Sequence, residues 1–200
     1  SKLNSLVELY FKKTEEVEGK RPFLKWLKPD KRTYNWEDVT ERIYKLTAKI
    51  KSLIKQGDRC LILSENRPYW LMTDIAIMNA GGISVPNFTT YSANDYEYIL
   101  NDCKPSLIFV SNQDQFNKIK KFINSDVKKI ISFEKIDTDS LLIKEILDEE
   151  IKEKIVNKDL KRNMPACIIY TSGTSGNPKG VVLSHGGILS NCEGAVELLE

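Results

Sequence analysis

Histidine occurs once in the 200 residues, at His185. A multi-histidine metal site is therefore excluded, and a Ser-His-Asp triad would have to be built on that one side chain. Long apolar runs are missing too: no uninterrupted stretch approaches the roughly 20 residues that cross a bilayer as a helix. The four cysteines, Cys60, Cys103, Cys167 and Cys192, are far apart, with no CxxC pair and no secretory signal pattern. Three sit in or beside apolar runs, so they read as free buried thiols of a reducing cytosol rather than as a disulfide or zinc framework. Neither sign of charge dominates. Thirty Lys and Arg against 28 Asp and Glu leave a net charge of +2, which argues against a dedicated nucleic-acid binder.

What is present is an alternation of helical and extended periods. "VTERIYKLTAKIKSLIKQG" carries Val39, Ile43, Leu46, Ile50, Leu53 and Ile54 at helical spacing, and Gly57 suits its end. "NRPYWLMTDIAIMNAGG" is a second helix, apolar nearly all round and so deeply packed. "SANDYEYILNDCKP" opens on the capping pattern Ser92-x-x-Asp95. "NQDQFNKIKKFIN" and "SLLIKEILDEEIKEKI" are read as two more helices, and "GGILSNCEGAVELLE" begins a last one. Between them, strands are expected near 60–64, 83–86, 106–110, 129–133 and 166–170, with "GVVLS" as a further strand. Repeated strand-helix-strand units predict an α/β fold, a mostly parallel sheet with flanking helices. Residues 1–37 differ: "RPFLKWLKPDKRTYNW" reads as a hairpin with "KPDKR" as its turn. The expected organisation is an N-terminal helix and β-hairpin region over 1–37, then an α/β subdomain over 38–200. The charge-rich stretch 144–163 is the weakest part of the core. The chain stops at Glu200 inside an amphipathic helical pattern without a cap, glycine or proline, which reads as a fragment of a longer protein.

The segment richest in chemistry is "YTSGTSGNPKG", Tyr170 to Gly180, between apolar "ACII" and "VVL". Its glycines let backbone N–H groups turn inward and approach a ligand, forming an anion-binding concavity. Thr171, Ser172, Thr174 and Ser175 add hydroxyl donors, and Lys179 adds a mobile positive charge. Together they suit a polyphosphate. The pattern is not a Walker A loop: two residues separate Gly173 and Gly176 where four are needed, and Gly180 rather than Ser or Thr follows the lysine. A ligand-free glycine-serine hairpin is the alternative for an arbitrary loop of this composition, but the order T-S-G-T-S-G-x-P-K-G between strands is far more specific.

"YTSGTSGNPKGVVLSH" resembles the phosphate-loop signature of adenylate-forming enzymes, which include acyl-CoA synthetases, nonribosomal-peptide adenylation domains and luciferases. Gly57 to Ser111 and Leu183 to Ala195 are similar to the corresponding parts of long-chain fatty-acid–CoA ligases. The resemblance spans most of residues 20–200 and is weak over 112–163. It implies a chain that forms about the first third of such an enzyme, the early part of its large domain. It also implies that Thr171, Ser172, Gly173, Thr174, Ser175, Gly176 and Lys179 hold the β- and γ-phosphates of ATP. Ser175 stands where many relatives have threonine, and the hydroxyl is kept. The implied activity is AMP-forming ligation. A carboxylate, here a fatty acid, attacks the α-phosphate, and coenzyme A then displaces AMP, with Mg²⁺ at the phosphates. The family's metal ligand, ribose-binding aspartate and adenylation lysine lie beyond Glu200, so this chain alone is expected to be inactive as a ligase. Activation of another carboxylic acid and a non-catalytic nucleotide- or partner-binding module are the competing readings.

Other candidates read as structural. His185 could be a general base but stands at the start of the last helix. Phe88, Tyr91, Tyr96 and Tyr98 could line an acyl tunnel, yet their spacing favours core packing. "NKIKKFINSDVKK" could contact anionic lipid at a membrane periphery, but a solvated helix face accounts for it. Glu149, Glu150 and Glu153 lie among lysines and read as surface.

Overall fold

The Ser5 hydroxyl accepts from the Glu8 N–H at 3.1 Å, and this cap opens α1, Leu6–Glu16, which buries Val7, Tyr10 and Phe11. The computed structural model describes all residues except 1, 18, 20, 26–32, 172–175 and 200, and all their side chains except those of 24, 25 and 193–199. β1, Pro22–Lys25, and β2, Thr33–Asn35, form the expected antiparallel hairpin; its "KPDKR" turn lies outside the described residues. Asn35 and Asp38 cap each other's backbone N–H and open α2, Trp36–Leu53. Val39, Ile43, Leu46 and Ile50 of that helix are fully buried, each worth about 1.5–3 kcal/mol of hydrophobic stabilisation.

The α/β part then runs β3 (Arg59–Leu63), α3 (Pro68–Asn79), β4 (Ile83–Asn87), α4 (Ala93–Cys103), β5 (Leu107–Val110), α5 (Gln113–Ile119, continued as a 3₁₀ turn to Phe122) and β6 (Lys129–Ser132). It closes with β7 (Leu141–Leu142), α6 (Ile143–Leu147), β8 (Pro165–Thr171), β9 (Lys179–Ser184) and α7 (His185–Leu199). The seven-stranded sheet has the order β7-β6-β5-β3-β4-β8-β9 and is parallel except where β9 returns antiparallel to β8. β8 joins β4 through the single pair Ser84↔Cys167. All five parallel strands expected from the sequence are in this sheet, displaced by no more than a residue or two.

Successive strand residues face opposite sides. Cys60, Ile62, Phe109 and Ile131 pack with α1, α2, α3 and α6, while Leu61, Leu63, Ile108 and Tyr170 pack with α4 and α5. Two expectations are corrected. The helix read over 140–155 shrinks to the five residues of α6, because Leu141 and Leu142 pair with β6 as an edge strand. Its far end is stopped by side chains that take the backbone groups a longer helix would use. Lys45 Nζ donates to the Leu147 carbonyl at 2.8 Å. Buried Asn79 donates to the Ile155 carbonyl at 2.8 Å and accepts from the Asn157 N–H at 2.9 Å. The four thiols are not all buried either: Cys60, Cys103 and Cys167 are, but Cys192 lies on an exposed face of α7.

Candidate functional site

The β8–β9 hairpin carries the polyphosphate motif. Thr171 ends β8 and is the cross-strand partner of Lys179, which opens β9; both side chains are exposed at the mouth of the connection. Gly176 has φ of +117° with nothing within 4 Å of an added Cβ, so backbone conformation rather than space demands glycine there. Pro178 is buried and seats the chain just before Lys179. Of the seven predicted phosphate-binding residues, the structure places Thr171, Gly176 and Lys179; Ser172, Gly173, Thr174 and Ser175 lie outside the described residues. The placed donors, a hydroxyl and an ammonium on paired strands, have the chemistry to fit a polyphosphate, and among the described residues neither is tied to a carboxylate.

The root of the motif is built from residues that sequence reading had not connected. The Tyr170 ring lies across Gly180: a Cβ there would come within 2.9 Å of Tyr170 Cε1. The last glycine of the motif therefore makes room for the first tyrosine. The Tyr170 hydroxyl donates to Asp102 Oδ2 of α4 at 2.5 Å, and the Tyr91 hydroxyl donates to the Tyr170 carbonyl. Burial, and then the Asp102 carboxylate, push the Tyr170 phenol well above its ordinary value, so it stays a donor. Tyr96 is buried and donates to the Phe88 carbonyl at 2.5 Å, while Phe88 is 63% exposed and meets Tyr91 edge-on. Gly180 opposite Tyr170 was findable from hairpin register; Asp102, on another element, gave no signal.

At the other end of β9, Ser184 Oγ accepts from the Gly187 N–H at 3.1 Å and starts α7. His185 is fully buried, and its Nδ1 accepts from the Leu6 N–H at 3.2 Å. That bond fixes the neutral ring with its proton on Nε2, and burial pulls its pKa down to about 4. Six strand residues separate it from the mouth of the loop, roughly 17 Å or more at strand rise, so it is structural and not a base for a ligand there. Arg162 ties the same corner together, donating to the Leu3 carbonyl at 2.7 Å and to Ser190 Oγ at 3.0 Å.

The remaining candidates fall on the surface or into support. Lys118 donates to the Thr89 carbonyl, and Lys120, Lys121 and Lys128 are exposed. Glu149, Glu150 and Glu153 are exposed, and no group of three His, Cys, Asp or Glu that could hold a metal ion occurs among the described residues. Among them, too, no helix is long and apolar enough to cross a membrane.

The model of the family described as AMP-binding enzyme matches residues 11–199. Fatty acyl-CoA synthetase A of Dictyostelium discoideum is 27% identical over 191 residues, covering 90% of this chain and 28% of the relative. The human long-chain-fatty-acid–CoA ligase ACSBG1 is 30% identical over 175 residues, covering 79% of this chain and 24% of the relative. The chain thus spans about a quarter of the length of these curated relatives. In fold it is similar to the luciferase-like enzyme of the nonluminescent Zophobas morio mealworm, with a TM-score of 0.84 at 22% identity over 96% of this chain and 45% of that one. It is also similar to the anthranilate–CoA ligase AuaEII solved with anthranoyl-AMP, with a TM-score of 0.78 at 20% identity over 92% of this chain and 36% of that one. With a family match along nearly its whole length and the same α/β architecture, this chain belongs to the AMP-binding enzyme family.

Proposed function

We propose that this chain supplies the ATP-phosphate-binding part of an AMP-forming acyl-CoA ligase acting on a long-chain fatty acid. The observation that carries the reading is the β8–β9 hairpin, which sets the Thr171 hydroxyl and the Lys179 ammonium side by side at the mouth of a glycine- and hydroxyl-rich connection. The names of the curated relatives support the acid class.

In this reading the fatty carboxylate oxygen attacks the α-phosphorus of ATP. The bond to the bridging oxygen of the β-phosphate breaks, giving acyl-adenylate and pyrophosphate. The thiolate sulfur of coenzyme A then bonds to the acyl carbon, and AMP leaves with the electron pair of the acyl–oxygen bond. Negative charge grows on the departing pyrophosphate, where Lys179 and the loop donors are poised to neutralise it without reorganisation. Mg²⁺ would add charge neutralisation at the phosphates; no cluster among the described residues offers its ligands.

The test is carboxylate-dependent pyrophosphate–ATP exchange, with acids of graded chain length, by the protein that carries this chain over its full coding length. Lys179→Ala and Gly173→Ala should each slow exchange by about 10²-fold while the melting temperature stays put. Unchanged exchange in both variants refutes the phosphate role. Exchange that responds only to short or aromatic acids refutes the long-chain assignment.

A further inference from the structure

The loop's hold on phosphate depends on which way its two ends face, and one tyrosine sets that. Tyr170 is the last residue before Thr171, and its cross-strand partner Gly180 is the first after Lys179. Its ring covers Gly180, its hydroxyl reaches Asp102 on α4, and its carbonyl takes the Tyr91 hydroxyl. The strand register that joins β8 to the parallel sheet is a single pair, Ser84↔Cys167, three residues before Tyr170. The ladder pair Thr171↔Lys179 holds the two ends together, but it does not fix how the hairpin as a unit is aimed. Tyr91 lies in the connection between β4 and α4, and Asp102 in the last turn of α4, so the two tie the hairpin near its mouth to the segment that follows β4.

We infer that Tyr170, braced by Asp102 and Tyr91, is a positioning residue that fixes the direction in which the paired Thr171 and Lys179 face a bound triphosphate. The inference rests on the phosphate-loop reading above. The brace does not touch the ligand. Strand alternation sends the Tyr170 side chain into the α4 face while Thr171 points the other way. Its effect is pre-organisation: phosphate affinity is highest when the two donors need not be re-aimed on binding.

The experiment titrates the full chain with tripolyphosphate, which carries the charge without the nucleoside, following amide shifts by NMR well below the melting temperature. Lys179→Ala reports on the reading itself and should weaken binding by about 10-fold or more. Tyr170→Phe keeps the ring over Gly180 and loses only the hydroxyl; with Asp102→Leu it should weaken binding by roughly 3- to 10-fold, and the double variant should be no worse than either single one. Asp102→Asn retains an acceptor and should restore near-parental affinity. Tyr91→Phe tests the brace from the other side and decides the matter if Tyr170→Phe loses its fold. The inference is overturned if the Tyr170, Tyr91 and Asp102→Leu variants bind as tightly as the parent while Lys179→Ala is impaired, or if Asp102→Asn is as weak as Asp102→Leu. Equal binding by Lys179→Ala and the parent, or no saturable shift in the parent, removes the phosphate reading as well.

Discussion

Acidification should act on two groups of this chain, the buried His185 and the half-buried Asp74, in opposite directions, and single variants should separate them. His185 is fully enclosed with its Nδ1 accepting from Leu6, so a second proton would turn that acceptor into a donor facing an N–H. Its folded pKa of about 4 lies below the ordinary 6.5. Between those values the unfolded chain holds more protons, so stability is lost as pH falls through the window, by at most about 3 kcal/mol. Asp74 of α3 behaves oppositely. Burial raises its carboxyl from 3.8 to about 6, partly offset by the Ser84 hydroxyl donating at 2.5 Å. There the folded chain holds more protons, so stability is lost as pH rises, again by at most about 3 kcal/mol. The two terms nearly cancel in the parent between about pH 4 and 6. His185→Asn, whose carbonyl can still accept from Leu6, should expose the Asp74 slope, with stability falling as pH rises. Asp74→Asn should expose the His185 slope, with stability falling as pH drops. Urea midpoints followed by circular dichroism across this range measure both, and the other carboxylates cancel in the difference from the parent. Parallel pH profiles for the parent and His185→Asn would refute the reasoning about His185.

Three further outcomes follow from the packing. Gly180→Ala forces a methyl group into the Tyr170 ring and should cost about 1–3 kcal/mol, seen as a melting temperature lowered by several degrees; an unchanged melting curve would contradict the close approach. Cys60, Cys103 and Cys167 are buried, with the Cys103 and Cys167 thiols pushed up to about 12 and about 11, so a thiol reagent should titrate only Cys192 in the native chain and all four after denaturation. Rapid native labelling of more than one thiol would show the core open. Asn79→Ala removes the side chain that holds Ile155 and Asn157 and leaves buried backbone groups unpaired, at a cost of about 2–4 kcal/mol. Limited proteolysis should then cut first within 148–164, and cleavage elsewhere first would count against the clamp.

The sheet was legible because its strands are short apolar runs bounded by glycine, proline and capping residues. Ser92 caps α4 through the Asp95 N–H just as the pattern requires. The stretch 140–155 was misread for a reason local periodicity does not contain. Ile151 and Ile155 keep helical spacing with Ile143 and Leu147, but Asn79 and Lys45, distant in sequence, compete for the backbone. At the candidate site the phosphate motif was readable because anion binding writes its needs into a few consecutive residues. Its support was not, since Asp102 and Tyr91 reach Tyr170 across 68 and 79 positions and carry no local mark of that task. Tyr91 and Tyr96, read as core, do pack there, but their hydroxyls serve as struts, which hydrophobic spacing alone does not reveal.

The single register pair between β4 and β8 also dictates a timetable. Ser84 waits for Cys167, about 80 residues later, which is roughly 4–16 s of synthesis at 5–20 residues per second. β3, β4, β5 and β6 can align during that interval, because each pairs with a neighbour already made or soon to emerge. β8 and β9 pair with each other over a short connection, on the microsecond scale of hairpins, and so meet the sheet as a finished ribbon. Until that ribbon docks, the exposed edge of β4 stands open on the nascent chain. Helix α1 is also completed late, since Leu6 receives its acceptor only when His185 has left the ribosome.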